Sequence, residues 1–472
     1  MWKNKKIYIV GAGPGSPDLI TLKGLRLLKE ADVIIYDSLI GKWILNFAKS
    51  SAELICTDKF SFTQKVERIV YLILKKLKEG KKVVRLKNGD PFIFGRITEE
   101  MEELSKYGIK FEVVPGITSA TAGACFAGLP LTSRNISSSV VFVPGHEDPF
   151  KESGFVQWEK IAGTDTIVLY MATKNISSIA KILIKNGKSP STPVAVISNV
   201  SMPNQKMIVG ILSDIGEKIK EEKITSPSII IIGEAVRLEE RFNWFRRQKK
   251  VLYTGLLSPE LFGEEIIFHI PMVEVKPTKE IEKFKRFVRN IPDFELLIFT
   301  SRWAVDFFFE KLLKIGHDSR IFNPVKIACS TKSASDELKD KGILADFVPS
   351  SGSSQELLNF LHHLGIAGKK VGVVSSLSGD RGLYDAIKKL CGIPYKYTAY
   401  KLVTPKYLPP LNLQIFDEII FSSPSAVRNF LKRYGRPPEM VKIIATNTKT
   451  FETAAKLNLI PERRLDLDVS VT

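Results

Sequence analysis

The sequence predicts an α/β protein built from two halves. Strand-length apolar runs alternate with helical patterns in the first half, glycines follow the opening strand at Gly11, Gly13 and Gly15, and a strand-to-helix pattern recurs in the second half. Such alternation is typical of sheets covered by helices. At 472 residues the chain exceeds one typical core, so several domains are expected.

The strand candidates of the first half are short and apolar. They comprise residues 7–10, 33–36, 83–86, 111–114, 167–170, 194–197 and 229–232, with a helical pattern over 66–77. Strand-rich stretches after Ser137 predict a second subdomain, which gives subdomains of about 1–115 and 116–240 with a cleft between them. A new strand begins at Val251, so we expect the major boundary near residue 245.

The loop after the first strand predicts a small-molecule site. Glycine lets the backbone turn sharply or approach a ligand closely, and a strand–glycine–helix junction marks the ligand end of an open sheet. The dinucleotide fingerprint needs a third glycine where Ser16 stands, and Pro14 stiffens the loop. The pattern therefore argues against a standard NAD site.

Three further junctions of the first half carry polar residues after a strand. Asp37 ends the strand 33–36, where it would hold a ribose hydroxyl or act as a general base at a cleft rim. The segments 85–96 and 115–120 combine glycine, proline and hydroxyl residues. Turn chemistry alone accounts for each of them singly, but their number favours a ligand-binding edge.

Composition narrows the function classes. The formal net charge of +18 fits either a lysine-rich surface, a polyanionic small substrate or a nucleic acid. The stretch 241–250 mixes cations with aromatics, which is typical of a charged linker and also of nucleic-acid binding. The four cysteines form no C-x-x-C pair, so we expect no metal site and a reducing cytoplasm. No run has membrane-spanning length.

The second half contains an internal repeat. Residues 299–308 echo 421–430, and 326–332 echo 442–449. In each copy a strand ends in hydroxyl residues where a helix begins. These hydroxyl residues would either cap the helix or line two facing polar surfaces that bind carboxylates. We predict two similar lobes that bind a polycarboxylate. The candidate residues are Thr300, Ser301, Ser330, Thr331, Ser422, Ser423, Thr446 and Thr448.

The first half resembles the tetrapyrrole methylases, and within them uroporphyrinogen-III C-methyltransferase. The segments that carry the resemblance are 10–23, 36–37, 85–96, 113–120 and 127–134. It implies a two-subdomain fold over 1–245 with a cleft for S-adenosyl-L-methionine (SAM), two methylations of uroporphyrinogen III to precorrin-2, and a place on the sirohaem or cobalamin branch.

The resemblance also implies site residues. The SAM contacts fall on Pro14, Gly15, Asn88, Gly89, Asp90, Ile93, Thr118, Ser119, Met171 and Val200. The proton acceptor falls on Asp37 and the proton donor on Lys59. Arg96 and Arg134 would pair with substrate carboxylates, because guanidinium groups bind carboxylates through two hydrogen bonds.

The second half resembles uroporphyrinogen-III synthase over about 250–465, on the segments 299–305, 348–357 and 420–427. This implies a bilobal α/β fold joined by paired strands, with one lobe from about 250–277 and 405–472 and the other from 278–404. It also implies cofactor-free cyclisation of hydroxymethylbilane, with Tyr400 assisting loss of the hydroxyl.

Fusion of the two activities is coherent, because the synthase product is the methylase substrate. The sequence leaves two alternatives: a methylase with a degenerate, non-catalytic synthase-like half, since the family's glycine is replaced in the segment 446–448, or an RNA-modifying methylase of the same fold. We expect tetrapyrrole substrates, no nucleic acid, no membrane and no metal, a cytoplasmic location, and a homodimer formed through the first half.

Overall fold

The computed structural model describes residues 6–49, 51–60, 65–147, 149, 154–257, 265–350, 354–379 and 381–463. It contains four five-stranded sheets, two in the first half of the chain (to residue 247) and two in the second half (from residue 250). Among these residues, the helices are all too short or too polar to cross a membrane.

The first sheet is parallel throughout, in the order β3-β2-β4-β1-β5. Its strands are β1 (Lys6–Gly11), β2 (Val33–Tyr36), β3 (Glu53–Cys56), β4 (Val83–Lys87) and β5 (Lys110–Val114). The helices that follow in the chain are α1 (Leu22–Glu30), α2 (Lys65–Lys78), α3 (Ile97–Lys106) and α4 (Ser119–Ala127). Because the strands are parallel, the loops after β1, β2, β4 and β5 meet at one edge, where open sheets bind ligands.

The second sheet is mixed, in the order β6-β7-β10-β8-β9, and only β6 and β7 run parallel. Its strands are β6 (Val140–Pro144), β7 (Thr166–Tyr170), β8 (Pro193–Ser198), β9 (Lys206–Ile211) and β10 (Ser228–Ile232). Its helices are α5 (Trp158–Ala162), α6 (Ile176–Lys185), α7 (Ile215–Glu221), α8 (Glu239–Phe242) and α9 (Trp244–Arg247). The central strands β7, β8 and β10 are mostly apolar and are buried along nearly their whole length, because helices and loops cover both faces.

The second half forms two lobes whose sheets have the orders β12-β11-β18-β19-β20 and β13-β17-β16-β14-β15. The strands are β11 (Lys250–Tyr253), β12 (Ile266–His269), β13 (Glu274–Pro277), β14 (Leu296–Phe299), β15 (Lys326–Cys329), β16 (Lys370–Ser376), β17 (Ile393–Val403), β18 (Glu418–Phe421), β19 (Lys442–Ala445) and β20 (Pro461–Arg463). The helices are α10 (Ile281–Arg289), α11 (Arg302–Lys314), α12 (Lys332–Asp340), α13 (Ser354–Leu364), α14 (Arg381–Lys389), α15 (Pro424–Tyr434) and α16 (Thr448–Lys456).

The internal repeat corresponds to matching structural units. The unit β14–α11–β15–α12 recurs as β18–α15–β19–α16, and in each copy the two strands pair in parallel. The chain crosses between the lobes at β13 and β17, which pair antiparallel. Through this pairing β13 belongs to the sheet of the 278–404 segment, although the sequence analysis grouped residues 274–277 with the other lobe.

The two halves of the chain share one hydrophobic core. Phe245 lies 5.4 Å from Phe126 of α4 and 6.2 Å from Phe268 of β12 between ring centroids, and Phe268 lies 5.6 Å from Phe416. Trp43 of the first half is buried in the same cluster. The aromatic stretch at the boundary is therefore a packed connection between the halves.

Polar contacts reinforce this connection. The Asn46 side chain donates to the Tyr407 carbonyl (2.6 Å) and accepts from the Tyr407 N–H (3.3 Å). Within the first half, Trp244 Nε1 donates to the Cys125 carbonyl (2.8 Å) and so fixes the boundary stretch to α4. The aromatics Trp244 and Phe245 are thus engaged inside the molecule, which disfavours the reading of 241–250 as a nucleic-acid site.

Replacement of Phe245 by alanine tests the shared core. Phe245→Ala removes a ring that is 7% exposed, so we expect a loss of about 3–5 kcal/mol in the free energy of unfolding and faster tryptic cleavage within 241–250. Thermal unfolding and limited proteolysis measure both. Leu344→Ala, at a side chain that is 78% exposed, is the control. An unchanged cleavage rate in Phe245→Ala would show that the halves are merely tethered.

Candidate functional site

Three loops at the carboxyl edge of the first sheet pack backbone against backbone. Gly13 and Gly89 exchange N–H···O hydrogen bonds of 3.2 and 2.9 Å. A Cβ atom on Gly116 would lie 2.2 Å from the Gly89 carbonyl oxygen, and one on Gly11 would lie 2.7 Å from it. Only glycine allows this approach, so the loops after β1, β4 and β5 form one rigid unit.

A cleft of about 820 Å³ opens between this unit and the second sheet. Most of the predicted SAM residues line it, together with two other predicted site residues. They are Pro14, Asn88, Gly89, Asp90, Ile93, Thr118, Ser119, Met171 and Val200, with Asp37 and Arg96. Strands far apart in the chain thus bring the predicted motifs to one cavity.

Three predicted residues of the first half do not line the cleft. The Gly15 carbonyl accepts from Trp43 Nε1 (2.7 Å), and the glycine packs against Met202. Arg134 lies exposed in a turn, and Lys59 lies exposed after β3. The proton-donor role of Lys59 therefore stays a prediction, and the cations that reach Asp37 are others.

Polar side chains next to the three glycine loops hold these loops in position. Asp90 accepts from the Phe92 N–H (2.8 Å) through one carboxylate oxygen and from the Gly116 N–H (2.9 Å) through the other. The Thr118 hydroxyl bonds to the Tyr170 hydroxyl (2.6 Å) across the cleft. Asp90 therefore joins two loops, and Tyr170 ties the first sheet to the second.

Strained backbone clusters around the cleft. Phe94, Arg96 and Met171 adopt left-handed φ values of 52°, 53° and 55°, and Asn199 and Ser201 on either side of Val200 do so at 50° and 62°. Such conformations cost non-glycine residues free energy and occur mainly at functional sites. Two of these residues, Arg96 and Met171, were predicted to contact a ligand, and Asn199 and Ser201 flank a third predicted contact, Val200.

A buried charge cluster forms the wall of the cleft beside Asp37. Arg85 donates to both carboxylate oxygens of Asp37 (3.0 Å each) and to both carboxylate oxygens of Glu100 of α3 (2.8 and 2.9 Å). Lys87 Nζ lies 3.0 Å from Asp37 Oδ2 and 3.6 Å from Glu100 Oε1. Arg85 is 1% exposed, so its charge is compensated entirely within the protein.

This cluster keeps Asp37 ionised. Burial alone would raise the pKa of Asp37, but the Arg85 and Lys87 charges and the Thr57 hydroxyl, which donates at 2.6 Å, hold it well below its usual range. Lys65 Nζ lies 3.5 Å away at the rim. A carboxylate in this setting opposes protonation, which weakens the expectation that Asp37 accepts a proton.

Four residues of this wall, Arg85, Lys87, Glu100 and Lys65, were not predicted as site residues from the sequence. A signal for two of them was present, because Arg85 and Lys87 are two residues apart on an otherwise apolar strand and so project from one face. Cations at such positions need buried partners. Glu100 carried no comparable signal, since it lies on a helix rich in glutamate.

The predicted hydroxyl residues of the second half lie at the carboxyl ends of its strands. Ser301, Thr331 and Ser423 each accept a hydrogen bond from the N–H three residues on, at 3.2 Å, and so cap α11, α12 and α15. At the fourth junction Asn447 is the cap, while Thr446 and Thr448 flank it. Thr300 and Ser422, the predicted substrate-binding residues at the strand ends, each lie directly before a helix-capping residue.

Two hydroxyl groups of this half stand out. Tyr400 is buried in β17, and its hydroxyl bonds to Ser301 Oγ (2.8 Å). Burial raises the pKa of Tyr400, so its phenol is neutral and can donate. The Ser330 hydroxyl is a buried atom without a hydrogen-bond partner among the described residues. Within these residues, His, Cys, Asp and Glu form no group that could hold a metal ion.

Both halves of the chain are similar in sequence to known protein families. Residues 6–216 match the family described as Tetrapyrrole (Corrin/Porphyrin) Methylases, and 260–462 match Uroporphyrinogen-III synthase HemD. A protein named Porphyrin biosynthesis protein HemD, from Ruminiclostridium josui, is 32% identical over 96% of this chain and 94% of its own length. The chain belongs to the tetrapyrrole methylases, fused to a uroporphyrinogen-III synthase domain.

Two single-domain relatives match the methylase half alone. Proteins named Uroporphyrinogen-III C-methyltransferase are 45% identical in Bacillus subtilis, over 52% of this chain and 96% of the relative, and 48% identical in Methanocaldococcus jannaschii, over 49% and 97%. The α/β fold, the cleft and the two-lobed synthase half all agree with this membership.

The charge cluster of the methylase half predicts a stability effect. Glu100→Gln leaves the buried Arg85 charge with one carboxylate fewer, so we expect a loss of about 3–5 kcal/mol in the free energy of unfolding. Denaturant unfolding measures it. Glu99→Gln is the matched control, because Glu99 pairs with Arg96 in solvent and its loss should leave the midpoint nearly unchanged. Equal midpoints for the two variants would contradict the importance of Arg85.

Proposed function

We propose that this chain is a bifunctional enzyme of tetrapyrrole biosynthesis. Its synthase half closes hydroxymethylbilane to uroporphyrinogen III, and its methylase half transfers two methyl groups from SAM to that product, giving precorrin-2 for the sirohaem or cobalamin branch. The observation that carries the proposal is the single cleft on which the separate glycine, hydroxyl and arginine motifs of the methylase half converge.

The cleft has the features that SAM binding needs. The crossing of Gly11, Gly89 and Gly116 exposes backbone close to the cavity, and Thr118 and Ser119 supply hydroxyls beside it. Met171 and Val200 would contact the ligand from the side of the second sheet. Met171 itself and both neighbours of Val200 have strained backbone. When bound, SAM supplies an electrophilic methyl group on its sulfonium. We assign Gly15 to the support of the loop, through Trp43.

The proposed substrate is a polycarboxylate, and the cleft lining contains cations beside the protein's own carboxylates. Arg96, Lys65 and Lys174 would bind the acidic side chains of uroporphyrinogen III. Within the protein, Arg96 pairs with Glu99, and Lys65 contacts Asp37 and Asp58. The net charge of +18 would draw both substrates to the protein. Arg134 lies outside the lining, so a contact with the substrate from Arg134 stays a prediction.

In the synthase half, we assign the carboxylates of the bilane to the strand-end hydroxyls and the free N–H groups of the capped helices. Thr300, Ser330 and Thr331 would act in one lobe, and Ser422, Ser423, Thr446 and Thr448 in the other. Tyr400, as a neutral phenol linked to Ser301, would donate to the departing hydroxyl as the carbon–oxygen bond breaks and water leaves.

We further propose a cytoplasmic homodimer formed through the methylase half. All four cysteines are free, which suits a reducing compartment. Strand β9 lies at the edge of its sheet and exposes Val209 and Ile211, a surface suited to pairing with a second copy.

A glycine substitution tests the SAM site. In Gly116→Ala the new Cβ would lie 2.2 Å from the Gly89 carbonyl oxygen, so the loops must separate. We expect S-adenosylhomocysteine to bind at least about tenfold more weakly, a cost of about 1.4 kcal/mol, by calorimetric titration. Gly163→Ala is the control, because nothing lies within 4 Å of its Cβ position. Equal affinity in the two variants would place the ligand elsewhere.

Product analysis tests the two activities together. The chain is incubated with freshly generated hydroxymethylbilane, with and without SAM, and the products are resolved by isomer and by mass. We expect the type III ring without SAM and a dimethylated ring with it. Only the type I isomer, which forms spontaneously, would show that the synthase half is not catalytic, and a type III ring without methylation would overturn the methylase assignment.

A further inference from the structure

The proposed methylation releases a proton, and Asp37 is poorly placed to take it. Both of its carboxylate oxygens already accept from Arg85, one also accepts from Thr57, and the other contacts Lys87. Protonation of Asp37 would break these contacts and leave the positive charge of Arg85 compensated by Glu100 alone. The proton acceptor is therefore to be sought next to Asp37.

The other members of the cluster differ in what they can do with a proton. Arg85 remains charged at all relevant pH values, because guanidinium groups do not lose their proton in proteins. Glu100 is committed to Arg85 through both carboxylate oxygens. Lys87 is the remaining buried member, its amine can gain or lose a proton, and it also lines the cleft.

The position of Lys87 is fixed. Its side chain is 9% exposed, and it projects from the last residue of β4 on the same face as Arg85, directly before the glycine loop that begins at Asn88. One N–H of Lys87 donates towards Asp37 Oδ2 at 3.0 Å, which holds the nitrogen at the cleft wall. The nitrogen is thus oriented by the protein and accessible from the cavity that would hold the substrate.

We propose that Lys87 Nζ accepts the proton that methylation of the tetrapyrrole releases, and that Asp37 is the positioning residue that holds this amine. The proposal rests on the methylase function argued above. Lys87 then replaces Asp37 as the proton acceptor. The Asp37 carboxylate instead orients Lys87 and compensates the positive charge of the cluster.

The electrostatic setting of Lys87 agrees with this role. Burial and then the Arg85 charge lower the pKa of Lys87, while Glu100 and Asp37 raise it in part, and the net shift is downward. Lys65 and Asp58, 3.5 Å apart, join the cluster through the contact of Lys65 with Asp37. Buried lysines with lowered pKa values are effective general bases.

The step balances in atoms and charge. A ring carbon of the substrate attacks the methyl group, the carbon–sulfur bond breaks, and sulfur keeps the electron pair. The substrate is then cationic. A C–H bond of this cation breaks, its electron pair returns to the conjugated system, and the neutral Lys87 amine becomes an ammonium ion. The ammonium later loses its proton to water.

Lys87→Arg is the decisive variant, because arginine retains the positive charge and cannot accept the proton. We expect methylation of uroporphyrinogen III in a single turnover to fall by about 100-fold or more, with S-adenosylhomocysteine affinity and thermal midpoint close to those of the parent. Lys185→Arg, at an exposed lysine of α6, is the control. A Lys87→Arg rate within about threefold of the parent would overturn the proposal.

The pH profile supplies a readout that a structural role would not move. In the parent the rate should rise with pH as Lys87 loses its proton. In Asp37→Asn the loss of a neighbouring negative charge lowers the pKa of Lys87 further, so the rising limb should move to lower pH with measurable activity remaining. If Asp37 is the acceptor, Asp37→Asn abolishes turnover, and the proposal fails.

Rescue by an added amine provides a second test, should the arginine of Lys87→Arg disturb the cleft. In Lys87→Ala, added ethylamine should restore methylation in proportion to its unprotonated form, and absence of rescue in a variant that binds S-adenosylhomocysteine normally would contradict the proposal. The parent chain separates this result from the proposed function itself. If the parent does not methylate uroporphyrinogen III, the methylase assignment has failed, whereas a variant-specific loss concerns Lys87.

Discussion

The methylase half depends on how the Arg85 charge is compensated inside the protein. A guanidinium that is 1% exposed is tolerated only with carboxylate partners in hydrogen-bond contact. Glu100 supplies one from α3 and Asp37 supplies the other from the end of β2. The central strand β4 is thereby tied to a helix and to a neighbouring loop, and these two attachments shape one wall of the cleft.

The same constraint determines the chemistry at that wall. Because Asp37 is committed to Arg85, it remains an anion and does not exchange protons readily. Lys87 emerges beside Arg85 on the same face of β4, and its amine is left as the group that can gain or lose a proton. The opposite wall, with Met171 and Val200, and the crossing of Gly89 with Gly116 complete the cavity.

Most strands of the first half, the glycine loops and the repeat could be predicted from the sequence, because each is encoded locally. The predicted strands did not include β3, β6 or β9, whose residues are more polar or more exposed. Strand β2 coincides with the apolar run 33–36, and Ser301, Thr331 and Ser423 cap helices where hydroxyl residues met helical patterns. The partners of Arg85 could not be found this way, since Asp37 and Glu100 are 48 and 15 residues away in the chain. The shared core around Phe245 likewise joins segments distant in sequence, and neither charge nor periodicity indicates that they meet.

A double-mutant cycle between Asp37 and Lys87 tests the central claim, that the two side chains act as one unit set by Arg85. Single-turnover methylation is measured for the parent, Asp37→Asn, Lys87→Arg and the double variant. We expect strong non-additivity, with the double variant no slower than Lys87→Arg alone, because Asp37 acts through Lys87. Losses that multiply in the double variant would show two independent contributions and contradict the account.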